Sequence, residues 1–239
     1  ECEMLLAQAL VETNQPLESV EIFLDILKKY SEVPSSVYYN LSSGYKNLYK
    51  FKDALFYARQ YVNINPSNLM GFLRLGEIYT ELHLAGERRM SYFTALSIDP
   101  DNQVALKGLS ECFRTDSDSE GALKYLLKQQ KTPRRDMNIL EAYYYLGNKL
   151  KFNNKLLELN KEEILLPLVA CLSTHASIRF KQKDNYEFCP NPFNYINHLT
   201  LGESDLNGNF IKKIISTIES YDFSYTPQSL LVNGTQTLG

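Results

Sequence analysis

A spacing of about 34 residues recurs through the first half of this 239-residue chain and limits the folds that it can adopt. The clearest copy runs from Leu69 to Asn102. Its large apolar residues Phe72, Leu75 and Tyr79 are three or four positions apart, which places their side chains on one face of a helix. Gly76 stands in the same face and leaves room for a neighbouring helix. The stretch therefore begins with a helix that packs against another element.

Turn signals divide this stretch into two helices and recur with the same period. Gly86 interrupts the apolar pattern and predicts a turn, and Pro100 predicts the end of a second helix. One period earlier, INPSN ends at Asn68 as IDPDN ends at Asn102. A fixed period of this length is typical of repeat proteins. The spacing predicts four repeats, at residues 1–34, 35–68, 69–102 and 103–136.

The other repeats keep apolar residues in the same phase. These residues are Met4, Ala7, Val11, Val20, Leu24 and Leu27, then Tyr38, Leu41, Tyr45, Ala54, Ala58 and Tyr61, and finally Leu106, Leu109, Phe113, Ala122 and Leu126. Their helices are predicted near Glu1–Glu12, Leu17–Tyr30, Ser36–Leu48, Lys52–Asn63, Gln103–Arg114 and Ser119–Gln130.

The pattern resembles the tetratricopeptide repeat (TPR) family, whose period is about 34 residues. It departs from that family at Arg88, where a small residue is usual, and at Ser110 and Arg134, where glycine and proline are usual. The resemblance implies a mainly all-α fold, a solenoid of antiparallel helix pairs, whereas apolar spacing alone would also allow a generic helical bundle.

The repeat spacing is lost after Pro133. A helix is predicted near Asn138–Leu150 and a long apolar helix near Lys161–Arg179, in which Pro167 is either a kink or the effective start. Because the last repeat of a solenoid must cover its apolar face, we predict that residues 137–182 are capping helices.

The composition changes again in residues 183–239. Aromatic, proline and asparagine residues predict a linker, followed by an extended segment at Tyr195–Leu201. An amphipathic helix is predicted at Asn207–Tyr221, and Asn233 with Gly234 predicts a turn between strands. We interpret this part as the truncated start of an α+β domain.

Two short motifs in this tail resemble the opening of 2-oxoglutarate/Fe(II)-dependent oxygenases that carry TPR repeats in front of a double-stranded β-helix. The matching residues are Cys189, Pro190, Pro192, Tyr195 and Ile196, then Gly234, Gln236 and Thr237. The resemblance implies that Fe(II) and 2-oxoglutarate are cofactors of the full-length protein, with iron ligands beyond Gly239. We therefore predict no catalytic, cofactor-binding or metal-binding residue here and no activity of this chain alone. A glycosyltransferase or sulfotransferase behind the repeats, or a purely structural role for the repeats, remains the alternative.

The TPR resemblance also implies a binding surface. In that family the second, fifth, ninth and twelfth places of the first helices line a groove on the concave face, which takes a protein or peptide partner. The candidate residues are Tyr39, Ser43, Lys46, Met70, Leu73, Glu77, Lys107, Glu111 and Arg114. Members that grip chaperone C-termini use paired Lys and Asn, and Tyr39 and Ser43 occupy those places here. The sequence therefore argues against that ligand.

Composition narrows the remaining function classes. A net charge of −3 with 22% charged residues supports neither a nucleic acid nor an anionic membrane as partner. The longest apolar run, ILLPLVACL, is too short to span a bilayer. The three histidines are isolated, and the four cysteines are scattered, which predicts small buried apolar residues and no zinc site. The chain begins with Glu and ends in NGTQTLG, so we expect a fragment cut at both ends. The compartment stays open, with the cytoplasm favoured.

Overall fold

A computed structural model describes residues 2–13, 15–164, 166–184, 186, 212–213 and 216. The chain divides into two units, Glu1–Phe188 and Cys189–Gly239. Residues 2–179 contain eleven helices. They are α1 (Cys2–Glu12), α2 (Pro16–Lys29), α3 (Ser36–Asn47), α4 (Phe51–Ile64), α5 (Leu69–Glu81), α6 (Ala85–Ile98), α7 (Gln103–Thr115), α8 (Ser119–Leu126), α9 (Pro133–Tyr145), α10 (Lys149–Lys161) and α11 (Pro167–Arg179).

The helices of the first unit pack in consecutive pairs. Short turns join α1 to α2, α3 to α4, α5 to α6 and α7 to α8, so each pair is antiparallel, and each pair packs against the next. The predicted all-α solenoid is therefore confirmed for the described residues. The observed ends of α1, α2, α3, α4 and α7 differ from the predicted ends by one position at most. Asp118 caps α8, because its carboxylate accepts a hydrogen bond from the Gly121 N–H at 2.8 Å.

The prediction that Gly86 forms the turn of the third repeat was wrong. Gly86 lies inside α6, and a Cβ added there would meet no atom of the described residues within 4 Å. The turn is instead at His83, which has a φ of 56°. The N–H of Leu84 donates to the Tyr79 carbonyl at 3.0 Å and closes the end of α5. The turn thus depends on hydrogen bonds at the helix end, which no glycine marks.

The same left-handed turn residue recurs in the neighbouring repeats. Tyr49, Ser117 and Gly147 have φ values of 57°, 59° and 68° and follow α3, α7 and α9. Tyr49, His83 and Ser117 are evenly spaced along the chain, whereas Gly147 comes earlier than that spacing would place it. The backbone of the turn therefore repeats even where the residue type does not.

A fifth antiparallel pair, α9 with α10, follows the four predicted ones. The predicted helices Ser119–Gln130 and Asn138–Leu150 were wrong at their boundaries, since α8 ends at Leu126, α9 begins at Pro133 and α10 was not predicted. For the last helix, the alternative that Pro167 is the effective start is confirmed, because Pro167 is the first residue of α11. The cause of the wrong boundaries is α8, which has 8 residues where α6 has 14. The step from the start of α7 to the start of α9 is consequently shorter than the step from α5 to α7. The capping role of residues 137–182 stays a prediction.

Close packing in the first unit explains two of the sequence signals. A Cβ at Gly76 would lie 2.6 Å from the Tyr92 ring, so Gly76 does leave room for the neighbouring helix. Cys112 is buried in the core with Leu109, as predicted for a cysteine of this kind. Cys171 is exposed, and that part of the prediction was wrong.

The described residues test little of the predicted tail. Lys212, Lys213 and Ser216 are helical, in agreement with a helix at 207–221. The extended segment at 195–201, the turn at Asn233 and both oxygenase-like motifs lie outside the described residues.

Candidate functional site

The nine predicted binding residues lie on α3, α5 and α7 but differ in exposure. Met70 is 47% exposed and Lys107 is exposed. Ser43 and Leu73 are buried, at 7% and 6% exposure, so they offer little surface to a partner. The other five, Tyr39, Lys46, Glu77, Glu111 and Arg114, are half-buried. These five form two separate clusters.

The first cluster joins the second and third repeats. Lys46 Nζ lies 2.7 Å from Glu77 Oε2, and Arg74 Nη1 donates to the same oxygen at 3.0 Å. Arg74 Nη2 donates to the Tyr39 hydroxyl at 3.0 Å, and the guanidinium carbon lies 4.9 Å from the centre of that ring. Arg74 was not among the predicted residues, yet it links Tyr39 to Glu77.

The second cluster joins the fourth and fifth repeats. Arg114 donates to Glu141 Oε2 from Nε at 3.0 Å and from Nη2 at 2.6 Å, and to Glu111 Oε2 from Nη1 at 2.8 Å. Burial lowers the pKa of Arg114. The hydrogen bonds and the attraction to Glu141 and Glu111 raise this pKa by more than burial lowers it, so the net shift is upward. Glu141 was not predicted, because the fifth repeat was not recognised.

The two clusters follow one rule of position. Counted from the first residue of α5, α7 and α9, the ninth residue is Glu77, Glu111 and Glu141. In each cluster a cation at the end of the preceding first helix, Lys46 or Arg114, pairs with this glutamate. If the repeat after the one at Gln103 had been predicted to begin at Pro133, Glu141 would have followed the same rule.

A cleft opens beside each cluster. The first cleft encloses about 510 Å³ and the second about 600 Å³. Lys46, Tyr49, Phe51, Glu77, Glu81 and Tyr92 line the first cleft. Arg114, Asp118, Glu120, Asn138, Glu141 and Tyr145 line the second cleft. Each cleft thus lies between the turn of one repeat and the first helix of the next.

Neither a metal site nor a membrane span is present in the part of the chain that the structure describes. No three His, Cys, Asp or Glu side chains there are grouped so that they could hold a metal ion. None of its helices is long and apolar enough to cross a bilayer.

Known proteins resemble this chain in part of its sequence and in its fold. No family model matches the chain. It is 33% identical over 150 residues to the heat shock protein STI1 of Saccharomyces cerevisiae, an alignment that covers 62% of this chain and 24% of STI1. The chain thus spans about a quarter of the length of this curated relative.

Two solved structures with the same architecture are TPR proteins. The C-terminal part of a TPR repeat-containing protein from Cytophaga hutchinsonii superposes with a TM-score of 0.64 at 16% identity, over 74% of this chain and 72% of the other. A TPR protein from Parabacteroides merdae gives a TM-score of 0.64 at 16% identity, over 75% and 73%. This chain folds as a TPR solenoid. At such low identity the two bacterial structures show the fold alone.

Proposed function

We propose that this TPR solenoid is an interaction module that binds a protein or peptide partner on the surface formed by α3, α5, α7 and α9. The observation that carries the proposal is the repeated placement of charged side chains and clefts on these helices. Such a row of polar groups beside open clefts offers a partner orientation and specificity at several points.

Exposed residues outside the two clusters are suited to contact the partner. Met70 and Lys107 belong to α5 and α7, and their side chains take no part in the hydrogen bonds of the two clusters. A thioether and an ammonium group can adapt to a partner without disturbing the core. Net charge and composition argue against a nucleic acid, which stays a prediction.

A peptide array probed with the purified full chain tests the proposal. We expect Met70→Glu and Lys107→Glu to weaken binding to the best peptides by about tenfold each, as for residues near the centre of an interface. Met90 is a matched control, because it is 64% exposed but lies on the second helix α6. Met90→Glu should leave binding unchanged.

Two outcomes would overturn this function. Equal weakening by Met90→Glu would show that the surface of the first helices has no special role. Absence of binding to any peptide or protein would favour a purely structural role for the repeats. Circular dichroism of each variant shows that the helices are retained.

We further propose that the full-length protein joins this module to a 2-oxoglutarate/Fe(II)-dependent oxygenase domain, on the sequence resemblance of Cys189–Ile196 and Gly234–Thr237. The full reading frame tests this. An HxD or HxE pair with a distant His and Arg downstream supports an oxygenase, a DxD motif a glycosyltransferase, and a phosphosulfate-binding loop a sulfotransferase. The present chain should be inactive, and turnover of 2-oxoglutarate by it would contradict that expectation.

A further inference from the structure

We infer that the second cleft binds an arginine side chain of the partner, an inference that rests on the proposed function and adds a specificity to it. Three features of the cleft support an arginine. They are its charge, a buried amide oxygen to which no described residue bonds, and an arginine of this chain at the equivalent place of the third repeat.

The charge of the second cleft favours a cation. Its walls carry three carboxylates (Asp118, Glu120 and Glu141) against one guanidinium (Arg114), a net charge of −2. Arg114 is already paired with Glu141 and Glu111. At the N-terminus of α8, Asp118 already accepts the Gly121 N–H, so this helix end does not offer an empty anion site.

Asn138 supplies an independent reason to expect a ligand. Asn138 lines the second cleft, only 8% of the residue is exposed, and its Oδ1 has no hydrogen-bond partner among the residues that the structure describes. Buried amides in proteins are nearly always hydrogen-bonded, and each exception calls for an explanation. The oxygen itself is buried, so it meets a donor in the cleft only when the amide rotates, which exchanges its donor and acceptor ends.

At the position of the third repeat that corresponds to Asn138, this chain carries a cation of its own. Asn138 is the sixth residue of α9, and Arg74 is the sixth residue of α5. Arg74 donates to the ninth-place glutamate of its own helix, Glu77, at 3.0 Å. In the fifth repeat a short amide replaces this long cation, while the glutamate remains as Glu141. An arginine from the partner would restore the missing guanidinium.

Arginine fits these groups better than lysine does. A guanidinium has five N–H donors in one plane and can donate to an amide oxygen and a carboxylate together, whereas an ammonium group is a strongly hydrated point charge. Tyr145 lines the cleft with 62% of its surface exposed, and its ring can stack on a guanidinium.

Titration of the ¹⁵N-labelled full chain with N-acetyl-arginine amide tests the inference by NMR. We expect a saturable shift of the Asn138 side-chain amide signal. N-acetyl-lysine amide should bind about fivefold more weakly and N-acetyl-glutamate amide not at all, because only the guanidinium matches both acceptors.

Variants of the cleft separate this site from general attraction. Asn138→Leu keeps the branched shape of the side chain and removes the amide, and Glu120→Gln removes an exposed carboxylate. We expect about fivefold weaker arginine binding for Asn138→Leu and about twofold for Glu120→Gln. Glu87→Gln, on the second helix α6 and outside the lining of both clefts, is the matched control and should leave arginine binding unchanged.

Three results would overturn the arginine site: equal binding of the lysine or glutamate probe, shifts spread over the surface, or binding that Asn138→Leu leaves intact. The peptide array keeps the two proposals distinguishable. Array binding that depends on Met70 and Lys107 but not on Asn138 or on arginine in the peptide would remove only this inference. Loss of array binding altogether would remove the proposed function as well.

Discussion

The two clefts have the same backbone setting and different chemistry. Each lies behind a left-handed turn residue, Tyr49 or Ser117, and each faces a ninth-place glutamate, Glu77 or Glu141. The sixth place differs, because the chain's own Arg74 stands beside the first cleft and Asn138 lines the second. The repeated fold thus sets the position of the glutamate. The residue at the sixth place decides whether a long cationic side chain of this chain already occupies the space beside it.

The fourth place of the first helices differs as well. It holds the apolar Phe72 in the third repeat and Asp136 in the fifth. Asp136 is fully buried, with Arg135 Nη1 at 2.6 Å and Lys155 Nζ at 3.3 Å from its Oδ1. The third repeat is therefore held at this place by apolar contact, and the fifth by a buried ionic contact between α9 and α10.

The largest effect that this comparison predicts is for Asp136→Ala. The variant leaves Arg135 and Lys155, whose side chains are only 15% and 12% exposed, without their shared carboxylate. We expect a loss of about 3 kcal/mol in the free energy of unfolding, measured by urea titration. Asp25→Ala is the control, because Asp25 and its partner Lys28 are exposed, and it should cost less than about 0.5 kcal/mol. Equal losses would show that the buried contact contributes nothing special.

A second prediction compares the glutamates of the two clusters. Glu141→Ala should cost about 2 kcal/mol, since it removes two charge-assisted hydrogen bonds from a pair whose side chains are 24% and 18% exposed. Glu77→Ala should cost about 1 kcal/mol, because the Lys46 and Glu77 side chains are 29% and 39% exposed. Urea unfolding of both variants measures the difference. The reverse order would contradict the idea that the second cluster is the tighter one.

A third prediction alters the first cleft alone. Gly76→Ala would place a Cβ 2.6 Å from Tyr92, which lines that cleft, and we expect a loss of about 1.5 kcal/mol through forced repacking. Gly86→Ala is the control in the same repeat. A Cβ there meets no atom of the described residues, so the helix α6 should gain about 0.5 kcal/mol. Thermal unfolding followed by circular dichroism should move in opposite directions for the two variants.

The smallest expected effect tests the feature that the clefts share. Tyr49 and Ser117 both have a positive φ, which disfavours residues with a Cβ. Tyr49→Gly and Ser117→Gly should each stabilise the protein by about 0.5 kcal/mol, the relief of strain being partly offset by the freer unfolded chain. Gains that differ by more than about 1 kcal/mol would mean that side-chain contacts, and not the common turn, dominate at these positions.

Much of the fold could be predicted from the sequence because the repeats bury equivalent faces. Phe72, Leu75 and Tyr79 define a stripe whose spacing recurs in each earlier repeat, and the helix ends follow from it. The prediction failed where local hydrogen bonding competes with residue type. His83 forms the turn because backbone groups at the end of α5 bond there, while Gly86 continues into α6.

The binding surface could be predicted only in part. Lys46, Glu77 and Arg114 were identified by their places, and the structure puts each of them in an ion pair. Arg74, Asn138 and Glu141 were missed. Arg74 and Asn138 stand at the sixth place, which the rule did not include, and the short α8 moves Glu141 out of the phase of the earlier repeats.

The sequence by itself determined the repeating helix pair, because the apolar period states which faces must be buried together. Only the tertiary structure decided which charged residues meet, since Arg114 and Glu141 belong to different repeats and are brought together by the stacking of α7 on its neighbours. It also decided that Asn138 lines a cleft and that no residue of the described part of the chain bonds to its amide oxygen, because burial and hydrogen bonding depend on every surrounding element at once.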